Sequence, residues 1–585
     1  MLTVLSFLSL AQIVAPVPVP PPSATSSPAL ESPVARPTPV QQPSSNLPDA
    51  PVLIPPIQPP IVAPPPVTPP ARQVEVVRSQ EVRPLPGQLD EIPVFNSNSP
   101  EIIQTDGILL STFPADGMRS AEAHLNYPLQ GRFDLFAHHI AKGVTPEDDR
   151  TPFLGVIVYN PTNEPVTLDI LQAVSYLSQE APFVDLPSYV GNPVGNVFAG
   201  PGSRTTNDVL RGQRQPHWPA QVIIPPRRSQ LLVNVPIPLR RLTVATDGTL
   251  PPGYIIPPAV AAAAPTTASR GAASLAGTAP TGTATAVTEV AASSNSSNSS
   301  SSSNPSSRPP SNRTPATNGR TILMHLSSSG PVYLASLAMY APKVVGGGER
   351  VPSLQDWEAL LRNGSLAVPR DRNPTPPDAR AFLRFFYGRV AGVAQGSQWS
   401  ALATDGEGVE HLSIPRPGEE FSYVISTVDH NTFGTGQIQS APMLVRYPDT
   451  AYRAHGNYGI KYDISMPLYN HTNSTQRVAI LLQTPVQDEG LESGLRFREP
   501  PDNQIFFRGT VRLRFTDDFG IPQTRYLHIV QRRGQQGEPL LQMTMPPGNR
   551  RLVEVQFIYP PDSTPPQVLT VRTQGNREII EVRNE

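Results

Sequence analysis

The sequence predicts a mainly β protein: two related antiparallel β-sandwich domains with little helix, a proline-rich disordered N-terminal arm and a disordered Ala/Ser/Asn-rich insertion. Three observations predict it. Of 585 residues, 74 are proline, which donates no backbone hydrogen bond and breaks helix and sheet interiors, so the chain is not one uninterrupted globule. Short apolar, β-branched runs recur with Pro/Asn/Gly turns between them. The turn signatures of one half reappear, in the same order, in the other.

From the N-terminus, Leu2–Ala15 is apolar and too short to cross a bilayer as a helix, which takes about 20 residues. Its length suits the core of a secretory signal, and Ser9-Leu10-Ala11 offers a small-x-small cleavage site, so residues 1–15 read as signal-like. Residues 16–87 read as a Pro-rich disordered arm: between Pro16 and Pro70 there are 21 prolines, with only Glu31, Arg36 and Asp49 charged. Such a tract is extended and polyproline-like, with a reach of roughly 170 Å. Residues 88–345 read as the first β-sandwich domain, 346–380 as a helix and linker, and 381–585 as the second β-sandwich domain. The tract 259–319, rich in Ala, Thr, Ser and Asn without hydrophobic period, reads as a disordered insertion in the first domain.

Within the first domain, Phe153–Val158 and Val166–Leu171 flank a turn beginning Asn160-Pro161-Thr162, and Gln221–Ile224 and Leu231–Val235 flank Pro225-Pro226. In the second, Lys461–Leu468 and Arg477–Gln483 flank Asn470-His471-Thr472, while Leu540–Met545 and Leu552–Ile558 flank Pro546-Pro547. Tyr-Asn-x-Thr and Pro-Pro thus match between halves, as do Ile103-Gln104 before Phe113-Pro114 and Ile438-Gln439 before Tyr447-Pro448. Thr510–Phe515 and Thr524–Val530 read as a hairpin. Helix is confined to Arg204–Arg211 and Ser353–Asn363, the latter with Ser353 and Asp356 in capping-box spacing, Gly364 as a stop and Leu354, Trp357, Leu360 and Leu361 on one face.

The chemistry-bearing residues are few. There is no cysteine, hence no disulfide, thiolate metal site or thiol nucleophile. A formal charge of −2 argues against nucleic acid as a partner. His138 and His139 are neighbours whose side chains leave a strand on opposite faces, which places His139 inward and His138 outward rather than both on one metal. Glu147-Asp148-Asp149 and Asp517-Asp518 lack the alternation of a calcium loop. No metal or cofactor site is expected. Arg512 and Arg514 alternate with apolar residues and face outward from one strand, an anionic-ligand surface of two guanidinium groups.

The segments Phe133–Ile140, Tyr387–Trp399 and Ile438–Ile460, the last running through Ala454-His455-Gly456-Asn457-Tyr458-Gly459, together with the Pro/Gly turns, resemble a cyanobacterial family of exported proteins described as a domain of unknown function. The resemblance covers roughly residues 93–573. It implies a cyanobacterial source and an envelope with thick peptidoglycan for the arm to traverse, and it carries over no site residue.

The expected function is that of a non-enzymatic exported envelope protein, in the periplasm or at the outer cell surface, with a structural or interaction role and not membrane-spanning. Its expected partners are envelope polysaccharide or peptidoglycan. A glycan-binding or adhesion module using Trp218, Trp399 and Tyr458 with the arginine pair is the alternative. An envelope carbohydrate hydrolase is the second.

Overall fold

A run of alternating side chains closes a sheet by hiding every second residue, and Lys461–Tyr469 does so throughout: Tyr462, Ile464, Met466 and Leu468 are buried while Lys461, Asp463 and Ser465 are half-exposed. The computed structural model describes residues 72–181, 183–258, 314–380, 384–490 and 494–575. It is mainly β, with 45% strand, 5% helix and two α-helices. The signal-like segment 1–15, residues 16–71 of the expected proline arm and the bulk of the 259–319 insertion lie outside the described residues. The chain enters its first strand at Val74, so the stretch 74–83, expected as part of the arm, is strand: Val74–Arg78 pairs with Leu495–Glu499, and Glu81–Arg83 with Glu420–Ile425. Among the described residues no helix is long and apolar enough to cross a membrane.

Three sheets carry the architecture. One runs Tyr189–Gly191, Pro522–Arg532, Ile505–Thr516, Arg550–Ile558, Lys461–Tyr469, Gln398–Leu402, Gln88–Leu89. A second runs Glu81–Arg83, Glu420–Ile425, Gln567–Thr573, Gln476–Gln483, Pro539–Met545. These two share a core in which Tyr462, Ile464 and Met466 meet Val478, Ile480 and Leu482. The third and largest has the 24-residue strand Thr317–Tyr340 as its spine. Its first half pairs with Leu129–Lys142 and Val166–Leu177. After a register shift between Ser328 and Val332 its second half pairs with Pro152–Tyr159 and Gly107–Ser111. The expected hairpin is present, Ile505–Thr516 against Pro522–Arg532.

The repeated turns prove to be one corner built twice. In neither half do the strands beside Asn-x-Thr pair with each other: Pro152–Tyr159 pairs with Ser229–Pro236 while Val166–Leu177 pairs with Gln221–Ile224. Likewise Lys461–Tyr469 pairs with Arg550–Ile558 while Gln476–Gln483 pairs with Pro539–Met545. Each corner is pinned by its asparagine. Asn160 Nδ2 donates to Glu164 O (2.7 Å) and Ile224 O (3.0 Å), and Asn470 Nδ2 to Ser474 O (2.9 Å) and Met545 O (2.7 Å). Ile224 and Met545 are the residues before Pro225-Pro226 and Pro546-Pro547, so the two matching sequence signals meet in space. The Thr162 and Thr472 amides close the turn by donating to the asparagine Oδ1 at 2.8 and 2.9 Å.

The boundary expected across 346–380 does not divide the sheets. Ala391–Gln395 lies antiparallel to Pro93–Ser97, and that strand in turn lies parallel to Leu129–Lys142, so the largest sheet continues from the first half of the chain into Ala441–Arg446 of the second. Alternation and turns are local signals, whereas the choice of a partner strand some 300 residues away is not.

Leu354–Asn363 forms as its caps dictate: Asp356 N donates to Ser353 Oγ and Ser353 N to the Asp356 carboxylate. Its Trp357 is fully buried against Gly155, where an added methyl would stand 2.6 Å from the indole ring. Gly155→Ala is therefore expected to lower stability by about 2 kcal/mol through overpacking. Urea unfolding followed by tryptophan fluorescence checks this, and an unchanged midpoint would show the helix to be loosely docked.

Candidate functional site

Both predicted histidines are buried, which corrects the outward placement of His138. Leu129–Lys142 is covered on both faces, so period-two alternation does not separate a wet side from a dry one. His138 Nδ1 lies 2.8 Å from Thr321 Oγ1; His139 Nδ1 donates to Pro100 O (2.8 Å) and its Nε2 lies 2.9 Å from Ser97 Oγ. Trp218 and Trp399, expected as exposed aromatics, are likewise buried and donate to the carbonyls of Leu232 and Pro86. The arginine pair divides. Arg514 is neutralised by Glu554 at 2.8 Å, and Arg512 donates to Gln556 Oε1. Asp148 pairs with Arg150, and the Asp517 and Asp518 carboxylates accept backbone amides. Among the described residues no group of three or more His, Asp or Glu is placed to share a metal ion.

Of the three aromatics, Tyr458 alone lines a cavity of about 370 Å³, within the range of small-molecule sites. Six separated segments build it: Asn96 and Asn98 at the end of the strand Pro93–Ser97, then Arg384–Val390, the Val428–Asn431 turn, Ala454–Tyr458, Gln487 and Ser563–Pro565. The backbone here is unusual. Of six non-glycine residues with positive φ among the described residues, His430 and Asn457 belong to these segments and Ser426 and Phe433 flank the Val428–Asn431 turn. Residues held in that region mark sites where the surrounding structure over-determines the chain. The Val428 and Asn431 amides and carbonyls bond reciprocally (3.2 and 3.0 Å), Asn457 Nδ2 donates to Ser426 Oγ (2.7 Å), and the Tyr387 hydroxyl donates to Asp429 O (2.7 Å).

Amides, hydroxyls and rings line it together with two guanidinium groups, those of Arg384 and Arg389. The Oδ1 atoms of Asn96, Asn98, Asn431 and Asn457 are all buried and none has a hydrogen-bond partner among the described residues. Arg389 is ion-paired with Glu101. Burial, reinforced by Arg453 and His430, pushes the His455 imidazole down to about 3, although Asp429 Oδ2 lies 3.5 Å from its Nδ1. Burial pushes the Tyr387 phenol up to about 12. Rings gather at one side: Tyr387 and His455 have centroids 4.7 Å apart, Phe385 and His430 likewise 4.7 Å, and Phe385 and Tyr387 5.0 Å.

Sequence reasoning passed over the asparagines, because buried amides look like turn residues until the segments that hold them are brought together. A signal existed in Ala454-His455-Gly456-Asn457-Tyr458-Gly459, a polar run with two glycines that neither strand nor helix period explains. No curated protein matches the chain. The family described as a protein of unknown function, DUF3370, matches residues 80–573. That span holds every segment of the asparagine cavity, and the chain belongs to this family.

Proposed function

We propose that this chain is a non-enzymatic cell-envelope protein that binds a saccharide unit of an envelope polysaccharide in the asparagine cavity, its folded unit carried on an exported proline-rich arm. The carrying observation is that four asparagines whose side-chain oxygens are buried without a partner among the described residues line one cavity. Buried acceptors left unpaired are costly, and a ligand rich in hydroxyl donors satisfies them. The Tyr387 and Tyr458 rings offer faces for the apolar side of a sugar ring. The imidazole of His455 favours binding over hydrolysis, since a base held neutral so far below pH 7 is weakly basic in general catalysis. Export rests on the apolar leader and the arm, and a cyanobacterial envelope on the resemblance of the loops.

Isothermal titration calorimetry of the full chain against neutral oligosaccharides tests the reading. One-to-one binding is expected, weakened about tenfold by Asn431→Ala and by Asn98→Ala through loss of a buried hydrogen bond. Absence of binding at millimolar saccharide, or binding indifferent to both substitutions, overturns it.

A further inference from the structure

A second cavity, of about 600 Å³, opens where the outward face of the first sheet meets the end of the helix Ser203–Leu210. Strand register places Arg512 beside Gln556 and Lys461 beside Ile558 on adjoining strands. Arg132 and His325 enter from the largest sheet, and Arg211 from the residue after the helix. Four permanent cations therefore line the space, with Asp90 as the one carboxylate among the lining residues. Three more carboxylates act on these cations from behind the wall, Asp208 on Arg211 among them. Asp134 holds Arg132, and Asp463 holds Lys461 Nζ at 3.1 Å while accepting from Gln556 Nε2 at 2.7 Å. Arg211 and Arg512 have no carboxylate within ion-pair distance among the described residues.

The cations are also held in place. Arg211 donates to Asn192 O, Pro193 O (3.1 Å) and Asn207 Oδ1 (3.2 Å), and its guanidinium lies 3.9 Å over the Tyr526 ring. Arg512 is tied through Nε to Gln556 and so through that amide to Asp463, leaving both Nη groups without a partner among the described residues. A guanidinium fixed at Nε with its Nη edge open is arranged for a fork of two oxygens, and a nearby ammonium supplies a point charge. Arg514, one outward position along the same strand, lies outside this cavity and is already paired with Glu554.

We infer that this cavity is an anion-binding site for a sulfate, phosphate or carboxylate group borne by a ligand, with Arg512 and Lys461 as its direct contacts and Arg211 and Arg132 as supporting charge. The inference goes beyond the saccharide reading and stands without it, since it uses other residues.

Calorimetry of the full chain in low-chloride buffer, with inorganic sulfate, inorganic phosphate and glucuronate as three separate probes, tests it. At least one probe is expected to bind one-to-one, the tightest identifying the group, with affinity falling tenfold or more in Arg512→Gln and in Lys461→Gln. Arg514→Gln is expected to leave binding within twofold, and circular dichroism of all three variants to match the parent. The inference is overturned if none of the probes binds at millimolar concentration. It is equally overturned if Arg514→Gln weakens binding as much as Arg512→Gln, since that is the signature of diffuse surface charge. Neutral saccharide binding measured in Arg512→Gln separates the two cavities, because it should be unchanged whichever way the anion result falls.

Discussion

Acidification from pH 6.5 towards pH 4 is expected to unfold this protein steeply. Several imidazoles are buried and held neutral, four of them furthest: burial pushes His138 and His455 down to about 3, and His139 and His528 to about 4. In the unfolded chain each returns to about 6.5. Below that value the unfolded state binds protons the folded state refuses, so stability rises with pH through this window and is lost as pH falls. Asp562 opposes the trend. Burial raises its carboxyl to about 6 despite Arg508 at 3.1 Å, so near pH 5 the folded state holds one proton that the unfolded state has largely released. For these five groups the net uptake on unfolding approaches three protons, a slope of about 4 kcal/mol per pH unit. Urea midpoints collected from pH 7 to pH 4.5 check this. His528 offers a clean control, since neither of its ring nitrogens has a hydrogen-bond partner among the described residues. His528→Leu should flatten the slope by about one proton without loss of stability at pH 7. A stability that is level across the window would show that the imidazoles are reached by water.

Replacing either corner asparagine is expected to cost about 3 kcal/mol, because the change strands a buried strand-end carbonyl and releases the turn at once. In Asn470→Ala the Met545 carbonyl loses its side-chain donor, the Ser474 carbonyl one of its donors and the Thr472 amide its acceptor. Asn160→Ala strips Ile224, Glu164 and Thr162 in the same way. Aspartate at either position is no rescue, since a carboxylate accepts but cannot donate to a carbonyl. Urea denaturation of the two variants measures the loss, and the near-identity of the corners requires that the two values agree within about 1 kcal/mol. A loss below 1 kcal/mol in both would mean that the Pro-Pro turns hold the corners unaided.

Much of this fold was legible in the sequence, and the reasons differ by element. The strands around Asn470 could be placed because one face is buried and one is wet, as Tyr462 to Leu468 show. The helix could be placed because its stop and start are chemical: Ser353 and Asp356 cap each other within four residues. The Tyr-Asn-x-Thr and Pro-Pro matches could be found as well, although not that one donates to the carbonyl before the other. What failed was everything decided at a distance. His138 was misplaced because its strand is covered on both faces, and Trp218 and Trp399 because surface and core tryptophan look alike until a neighbour covers them. The cavity was illegible for the same reason, as Asn96 and Asn431 become one site only when Pro93–Ser97 and Ala391–Gln395 are neighbours. Arg512 and Arg514 were read as one surface, whereas Arg514 is paired with Glu554 and Arg512 lines the second cavity, since period two shows which way a side chain points and nothing of what stands across from it.

The pairing of Pro93–Ser97 with Ala391–Gln395 has a consequence for biogenesis. A ribosome adding about 5–20 residues per second needs roughly 15–60 s to travel from one strand to the other. Throughout that interval the nascent chain displays a naked hydrogen-bonding border, the kind of surface that recruits strangers. Assembly is thus a late event, governed by the arrival of the distal half, and dissecting the gene near its midpoint should give two sticky fragments that become soluble only when made together.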